Sequence, residues 1–247
     1  MVIARAAEFL ATWETGVAQA PDGRALLLHR AARPDLGGDQ RTLLELPVGE
    51  READLFALRR ALFGERMQVR LECGACGADM EFELDAGEFA RTLADRGEPL
   101  LRIAEDGWEV EFRVPGVADL TAAAGAADPR RALLARCVTD AVRDGRSVSA
   151  DELPAAVRRR IAEAAEAAEA ADPGGDVTLT IACPECGEDT RAELDIASYL
   201  WTELDAWARD LLLDVHLLAT AYGWSEPEIL ALSPLRRRYY LELCADV

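Results

Sequence analysis

The sequence predicts an α+β protein, and three observations carry that reading. A cysteine turn set between alternating residues occurs twice, as "CGACGADMEFELD" from Cys73 and "CPECGEDTRAELD" from Cys183. Between the copies lies an alanine-rich stretch of helical composition. After the second copy, Leu200, Leu204, Trp207, Leu211, Val215 and Leu218 recur at the spacing of one helix face.

Taken in order, residues 1–40 are mixed, with Pro21–Asp22–Gly23 and Pro34 to Gly38 breaking any long element. Leu55, Leu58 and Leu62 predict a helix from about Glu50 to Phe63, stopped by Gly64. "MQVRLE" and "DMEFELD" alternate on either side of the first cysteine turn and predict a hairpin with that turn at its tip. "WEVEFRV" (108–114) is a further strand, closed by Pro115. From Asp119 to Ala171 the chain reads as helical in at least three pieces, the last being "DELPAAVRRRIAEAAEAAEAAD" before Asp-Pro-Gly-Gly. Its Glu163, Glu166 and Glu169 read as a solvated face or a stiff spacer. "DVTLTIA" and "DTRAELD" form a second hairpin, and a long helix follows from about Ile196 to Tyr222, ended by Gly223. Ser225 with Glu228 predicts a capping box, with Pro227 in the first turn, and Ser233–Pro234 opens a last helix. The segments are then an N-terminal helical region (1–64), a first hairpin with strands (65–115), a helical insert (116–175), a second hairpin (176–195) and a C-terminal helical unit (196–247).

At 247 residues, half of them hydrophobic, the chain can bury a sizeable core without disulfide staples. No run approaches the ~18 apolar residues of a membrane span. Glu8 interrupts the only apolar patch of the N-terminus, which excludes a signal peptide; the expected location is the cytoplasm. Acidic residues outnumber basic ones 46 to 27, a net charge of −19, which repels nucleic acid and anionic membrane and favours solubility or a basic protein partner.

The copies align at an offset of 110 residues: Cys73, Cys76, Gly77, Asp79, Glu83, Leu84 and Asp85 fall on Cys183, Cys186, Gly187, Asp189, Glu193, Leu194 and Asp195, and Phe89 on Tyr199. Two thiolates two residues apart can grip one ion from a tight turn, and the following glycine relieves the backbone there. One such knuckle supplies two ligands, whereas a closed structural site takes four. Cys73, Cys76, Cys183 and Cys186 are therefore expected to share one tetrahedral zinc. The predicted architecture is a zinc-ribbon-like module of two zinc-knuckle hairpins, split by a helical insert and followed by a long helix and two short ones. A thioredoxin-type redox pair is the competing reading, but neither turn opens a helix in a βαβ unit; a metal-free relic is the other. Four ligands leave no open position, so the zinc would be structural.

Other constellations are weak. Cys137 and Cys244 lack a CxxC partner and read as small buried hydrophobes. His29 and His216 are the only histidines, and His216 reads as a packing residue of the long helix. With no nucleophile elbow, P-loop or dinucleotide fingerprint, no enzyme is expected. The arginine triplets Arg158–Arg160 and Arg236–Arg238 read as phosphate contacts of a nucleic-acid-binding zinc-ribbon regulator, as arginines paired with surface carboxylates, or as a protein-docking patch. Steep weakening of binding with salt would mark the first of these.

The tail "AYGWSEPEILALSPLRRRYYLEL" resembles the C-terminal signature of the baseplate hub assembly chaperones of T-even-type contractile phages, a family also found in phage-derived contractile injection systems. The matching positions are Tyr222, Gly223, Trp224, Ser225, Glu226, Ile229, Leu230, Leu232, Arg236, Arg237, Arg238, Tyr240 and Leu241. The longer injection-system relatives are also similar to "LLELPVGEREADLFALRRALFG" (43–64), "FRVPGVADL" (112–120), "ADPGGDVTLTIACPECG" (171–187) and both cysteine turns. Relatives often carry histidine where this chain has Glu188, which leaves the four cysteines intact. The resemblance implies a non-catalytic accessory protein that assembles the baseplate hub and spike in the bacterial cytoplasm. Its partner would be a hub, spike or tube subunit, captured through Tyr222, Trp224, Ile229, Leu230, Arg236, Arg237, Arg238, Tyr239 and Tyr240.

Overall fold

The computed structural model describes residues 2–88, 100–171 and 178–245, with the side chains of 2–5, 168–171 and 245 outside it. The expected Phe89–Tyr199 correspondence and the Asp-Pro-Gly-Gly stop lie outside the described residues. Two compact units emerge: residues 1–31 with 197–247, and residues 32–196. The segment 1–64 is thus divided between the units, and its first part joins the C-terminal helices.

In the first unit, α1 (Val2–Val17) and α2 (Pro21–Ala32) accompany α8 (Ile196–Tyr222), α9 (Glu226–Leu230) and α10 (Pro234–Ala245). The breaker at Pro21–Asp22–Gly23 separates two helices, because proline is well placed in a first helical turn. Leu10, Ala208 and Leu211 form one core cluster, with Trp13, Trp207 and Leu230 packed against it. The Trp13 indole N–H donates to Asp205 at 2.8 Å. Arg24 lies over the Trp201 ring and donates to the terminal carbonyls of Gly16 and Val17 in α1. Gly16 is required there: a Cβ would stand 2.5 Å from the Trp201 ring.

In the second unit, α3 (Gln40–Glu45) and α4 (Val48–Phe63) precede the first hairpin, β1 (Arg66–Glu72) and β2 (Asp79–Asp85). A four-stranded antiparallel sheet follows, β3 (Leu100–Glu105), β4 (Trp108–Arg113), β5 (Val138–Arg143) and β6 (Arg146–Ser147), in that order. Helices α5 (Val117–Ala124), α6 (Pro129–Cys137) and α7 (Ala155–Ala171) complete the insert, before the second hairpin of β7 (Thr178–Ala182) and β8 (Asp189–Glu193).

Residues 116–175 hold β5 and β6 beside α5, α6 and α7, which corrects their wholly helical reading. Asp106–Gly107 and Asp144–Gly145 all have positive φ and form two-residue hairpin turns, joining β3 to β4 and β5 to β6. The alanine-rich α7 is no mere spacer. Its Val157 and Ile161 pack on Trp108, Val110, Phe112 and Ala141 of the sheet, and Arg160 bonds Glu105 at 2.8 Å. Asp119 ties this layer together from a fully buried position, accepting from both Arg113 guanidinium nitrogens (2.6 and 2.9 Å), Arg136 (3.0 Å) and the Gly116 N–H (3.0 Å). A Cβ on Gly116 would press within 2.7 Å of the Leu44 and Leu46 carbonyls, so "LLELPVGE" and "FRVPGVADL" meet at this glycine.

Candidate metal centre

The two hairpins repeat each other in hydrogen bonding. In the first turn the Gly77 N–H donates to Cys73 O (2.9 Å) and the Cys73 N–H to Ala78 O (2.8 Å). In the second, the Gly187 N–H donates to Cys183 O (2.8 Å) and the Cys183 N–H to Glu188 O (2.9 Å). Gly77 and Gly187 take the left-handed conformation, φ 71° and 77°, which only glycine adopts without strain. Strand register repeats too: Gln68 faces Glu83 as Thr178 faces Glu193, and Glu72 faces Asp79 as Ala182 faces Asp189.

The turns meet at their tips. The four sulfurs of Cys73, Cys76, Cys183 and Cys186 lie within 4.8 Å of one another. Cys73 Sγ stands 3.7 Å from Cys186 Sγ, and Cys76 Sγ 3.7 Å from Cys183 Sγ. Four sulfurs bound tetrahedrally at about 2.3 Å stand about 3.8 Å apart, so the donor set fits one ion. None of the cysteines is in a disulfide, which would need sulfurs about 2 Å apart. Cys73 and Cys183 are 2% and 1% exposed, packed with Met80, Leu71 and Ile181, while Cys76 and Cys186 face outward.

The thiols are electrostatically unequal. Backbone N–H groups of Cys76 and Ala75 pull the Cys73 thiol down to about 6. The Glu188 N–H favours the Cys186 thiolate, but partial desolvation by the surrounding turn and the neighbouring sulfurs prevail and push it up to about 12. A cluster of this kind ionises once with ease and resists further proton loss, until a cation among the sulfurs reverses the balance. Four sulfurs closing on one point can bind a metal ion, with no position left over for a substrate.

The tail residues occupy a different part of the chain. Tyr222 and Trp224 stack at 4.6 Å, and Tyr240 meets Trp224 edge-on at 4.9 Å. Glu228 accepts from the Ser225 N–H (2.8 Å) and hydroxyl (2.6 Å), and Ser233 Oγ caps α10 through the Arg236 N–H. Ile229 is fully buried and Leu230 packs into the Leu10–Leu211 core, so Ile229 is no surface contact, a correction to the expected set. Arg237 is mostly buried against Asp214 at 3.0 Å, whereas Arg238 pairs with Glu242 at the surface. Leu235, Tyr239 and Leu243, spaced four apart on α10, are 65%, 61% and 59% exposed. His216 is exposed rather than packed. Cys137 is buried, its thiol pushed up to about 11 by burial, and Cys244 is half-buried. Among the described residues no helix is long and apolar enough to cross a membrane.

A family model described as T4 bacteriophage base plate protein matches residues 36–199. That span holds both cysteine turns and the whole insert, and stops short of the tail "AYGWSEPEILALSPLRRRYYLEL". No curated protein and no solved structure matches the chain.

Proposed function

The chain belongs to the T4 bacteriophage base plate protein family, and from that premise we propose that it is an assembly chaperone for the base plate hub of a contractile, phage-tail-like injection particle. The observation that carries this reading is the family match across the four-cysteine centre. In this reading Cys73, Cys76, Cys183 and Cys186 hold one structural zinc, the ion that an all-thiolate tetrahedral set selects most readily. The ion supplies no catalysis. It clips together turns about a hundred residues apart in the chain, where a cross-link removes the most unfolded-state freedom.

The protein acts in the cytoplasm and is not an enzyme. The exposed stripe of Leu235, Tyr239 and Leu243, flanked by Arg236 and Arg238, supports capture of a hub, spike or tube subunit, since aromatic and arginine side chains dominate binding hot spots. Tyr222, Trp224 and Tyr240 brace that surface. The test is deletion of the encoding gene in its own host, with particles imaged by electron microscopy. Tubes and sheaths lacking base plates, restored by the wild-type gene but not by a Leu235→Ser/Tyr239→Ser/Leu243→Ser variant, support the proposal. Normal base plates in the deletion strain overturn it. Stoichiometric presence of the chain in finished particles replaces the chaperone with a structural component.

A further inference from the structure

We propose that the cleft between α6 and α7 is a docking slot for an acidic, amphipathic segment of a partner protein. The cleft measures about 650 Å³, with Phe112, Leu134 and Ile161 among the apolar side chains that line it. Arg130 and Arg131 of α6 and Arg158 and Arg159 of α7 also line it. Such a concentration is unexpected in a chain of net charge −19.

The pairing of these arginines sharpens the point. Arg131 reaches Asp151 only at 3.4 Å and Arg159 reaches Glu163 at 3.6 Å, both at exposed positions where such pairs contribute little. Among the described residues Arg130 and Arg158 pair with no acid. The cleft's own acids do not neutralise them. Asp128 caps α6 through the Arg131 N–H, Glu163 is held by Arg160 at 2.7 Å, and only Glu166 is left over.

The charge and the shape together select the occupant. Guanidinium groups projecting from two helices around an apolar floor match a segment that places apolar side chains in the slot and carboxylates at both edges. A free phosphate-type anion would seek converging backbone N–H groups, and the cap of α6 is already filled by Asp128. This inference does not rest on the assembly role, and its test uses only purified full-length protein.

A random library of peptides about 12 residues long is selected on the full chain at physiological salt, with counter-selection on the Arg130→Glu/Arg158→Glu variant. Recovered peptides should interleave Glu or Asp with Leu or Phe. By fluorescence anisotropy the best of them should bind the variant at least about tenfold more weakly, while the variant keeps the wild-type melting temperature. Arg130→Gln/Arg158→Gln, which removes charge without reversing it, should give an intermediate loss. Peptides without acidic enrichment, or equal binding to all three proteins, overturn the proposal. Displacement by millimolar inorganic phosphate or nucleotide makes the cleft a small-anion site instead. Self-association of the wild type that the variant loses makes the occupant a second copy of this chain.

Discussion

The two cysteine hairpins are alike at their tips and unlike at their bases. Seven residue pairs join β1 to β2, against five joining β7 to β8 among the described residues. The first hairpin is fastened to its own unit: Arg59, fully buried, donates to the carbonyls of Gly64 (2.7 Å) and Arg66 (2.6 Å), and the Ala86 N–H to Glu65 O (2.7 Å). Met67, Val69 and Met80 bury its inner face, whereas β7 and β8 of the second hairpin bury Leu179 alone. Opposite the exit of the second hairpin, α4 places Glu52, a carboxyl that burial raises to about 7 and that Asp195 pushes further in the same direction against the pull of Arg51. The difference teaches where a metal would matter: the first hairpin stands on protein contacts, and in the proposed reading the second leans on the ion.

The largest effect is expected at the sulfurs. Cys183→Ser should abolish metal binding and lower stability by several kcal/mol, given the ~10–16 kcal/mol that structural zinc contributes in small domains. Metal content and thermal unfolding measure this, and Cys73→Ser should match it in metal lost. Chelation of the wild type should be more selective. Amides of Thr178–Glu193 should lose hydrogen-exchange protection while those of Arg66–Glu72 keep it. Arg59→Ala reverses the asymmetry by orphaning two carbonyls, at about 2–4 kcal/mol, and should make the first hairpin exchange as readily as the second.

The smallest effect is pH-dependent. The Glu52 carboxyl titrates near 7 in the fold and at 4.5 when unfolded, so its contribution is fully favourable below pH 4.5 and lost as pH rises through 7. Glu52→Gln should therefore raise the melting temperature at pH 8, by the equivalent of at most about 3 kcal/mol, and do little at pH 4. An equal gain at both pH values would mean that packing, not ionisation, sets the cost.

What the sequence made legible follows the same division. The hairpins and the clustering of the four cysteines were readable because the signals are local: thiol spacing, a glycine after each turn, period-two alternation. The long helix α8 and the Ser225–Glu228 cap were readable for the same reason. β5 and β6 were missed because Ala and Arg around them favour helix, and β3 went unread, although Asp106–Gly107 and Asp144–Gly145 carried the turn signal. The role of α1 was hidden because its partners lie far along the chain, as Gly16 against Trp201 shows. The Asp119 cluster assembles from separate elements, so no spacing announces it, and the arginine cleft joins two members of the Arg158–Arg160 triplet to Arg130 and Arg131 of another helix. Ile229 entered the contact set through the resemblance of the tail, which marks positions but not burial, and the structure buries it.

The most direct test of the shared site is native mass spectrometry of the full chain, purified under reducing conditions and set beside its Cys76→Ser variant. One zinc per wild-type chain, retained in the folded ions, released on unfolding and absent from the variant, is the predicted result. A folded wild-type chain carrying no metal, or a variant that keeps its zinc, would contradict it.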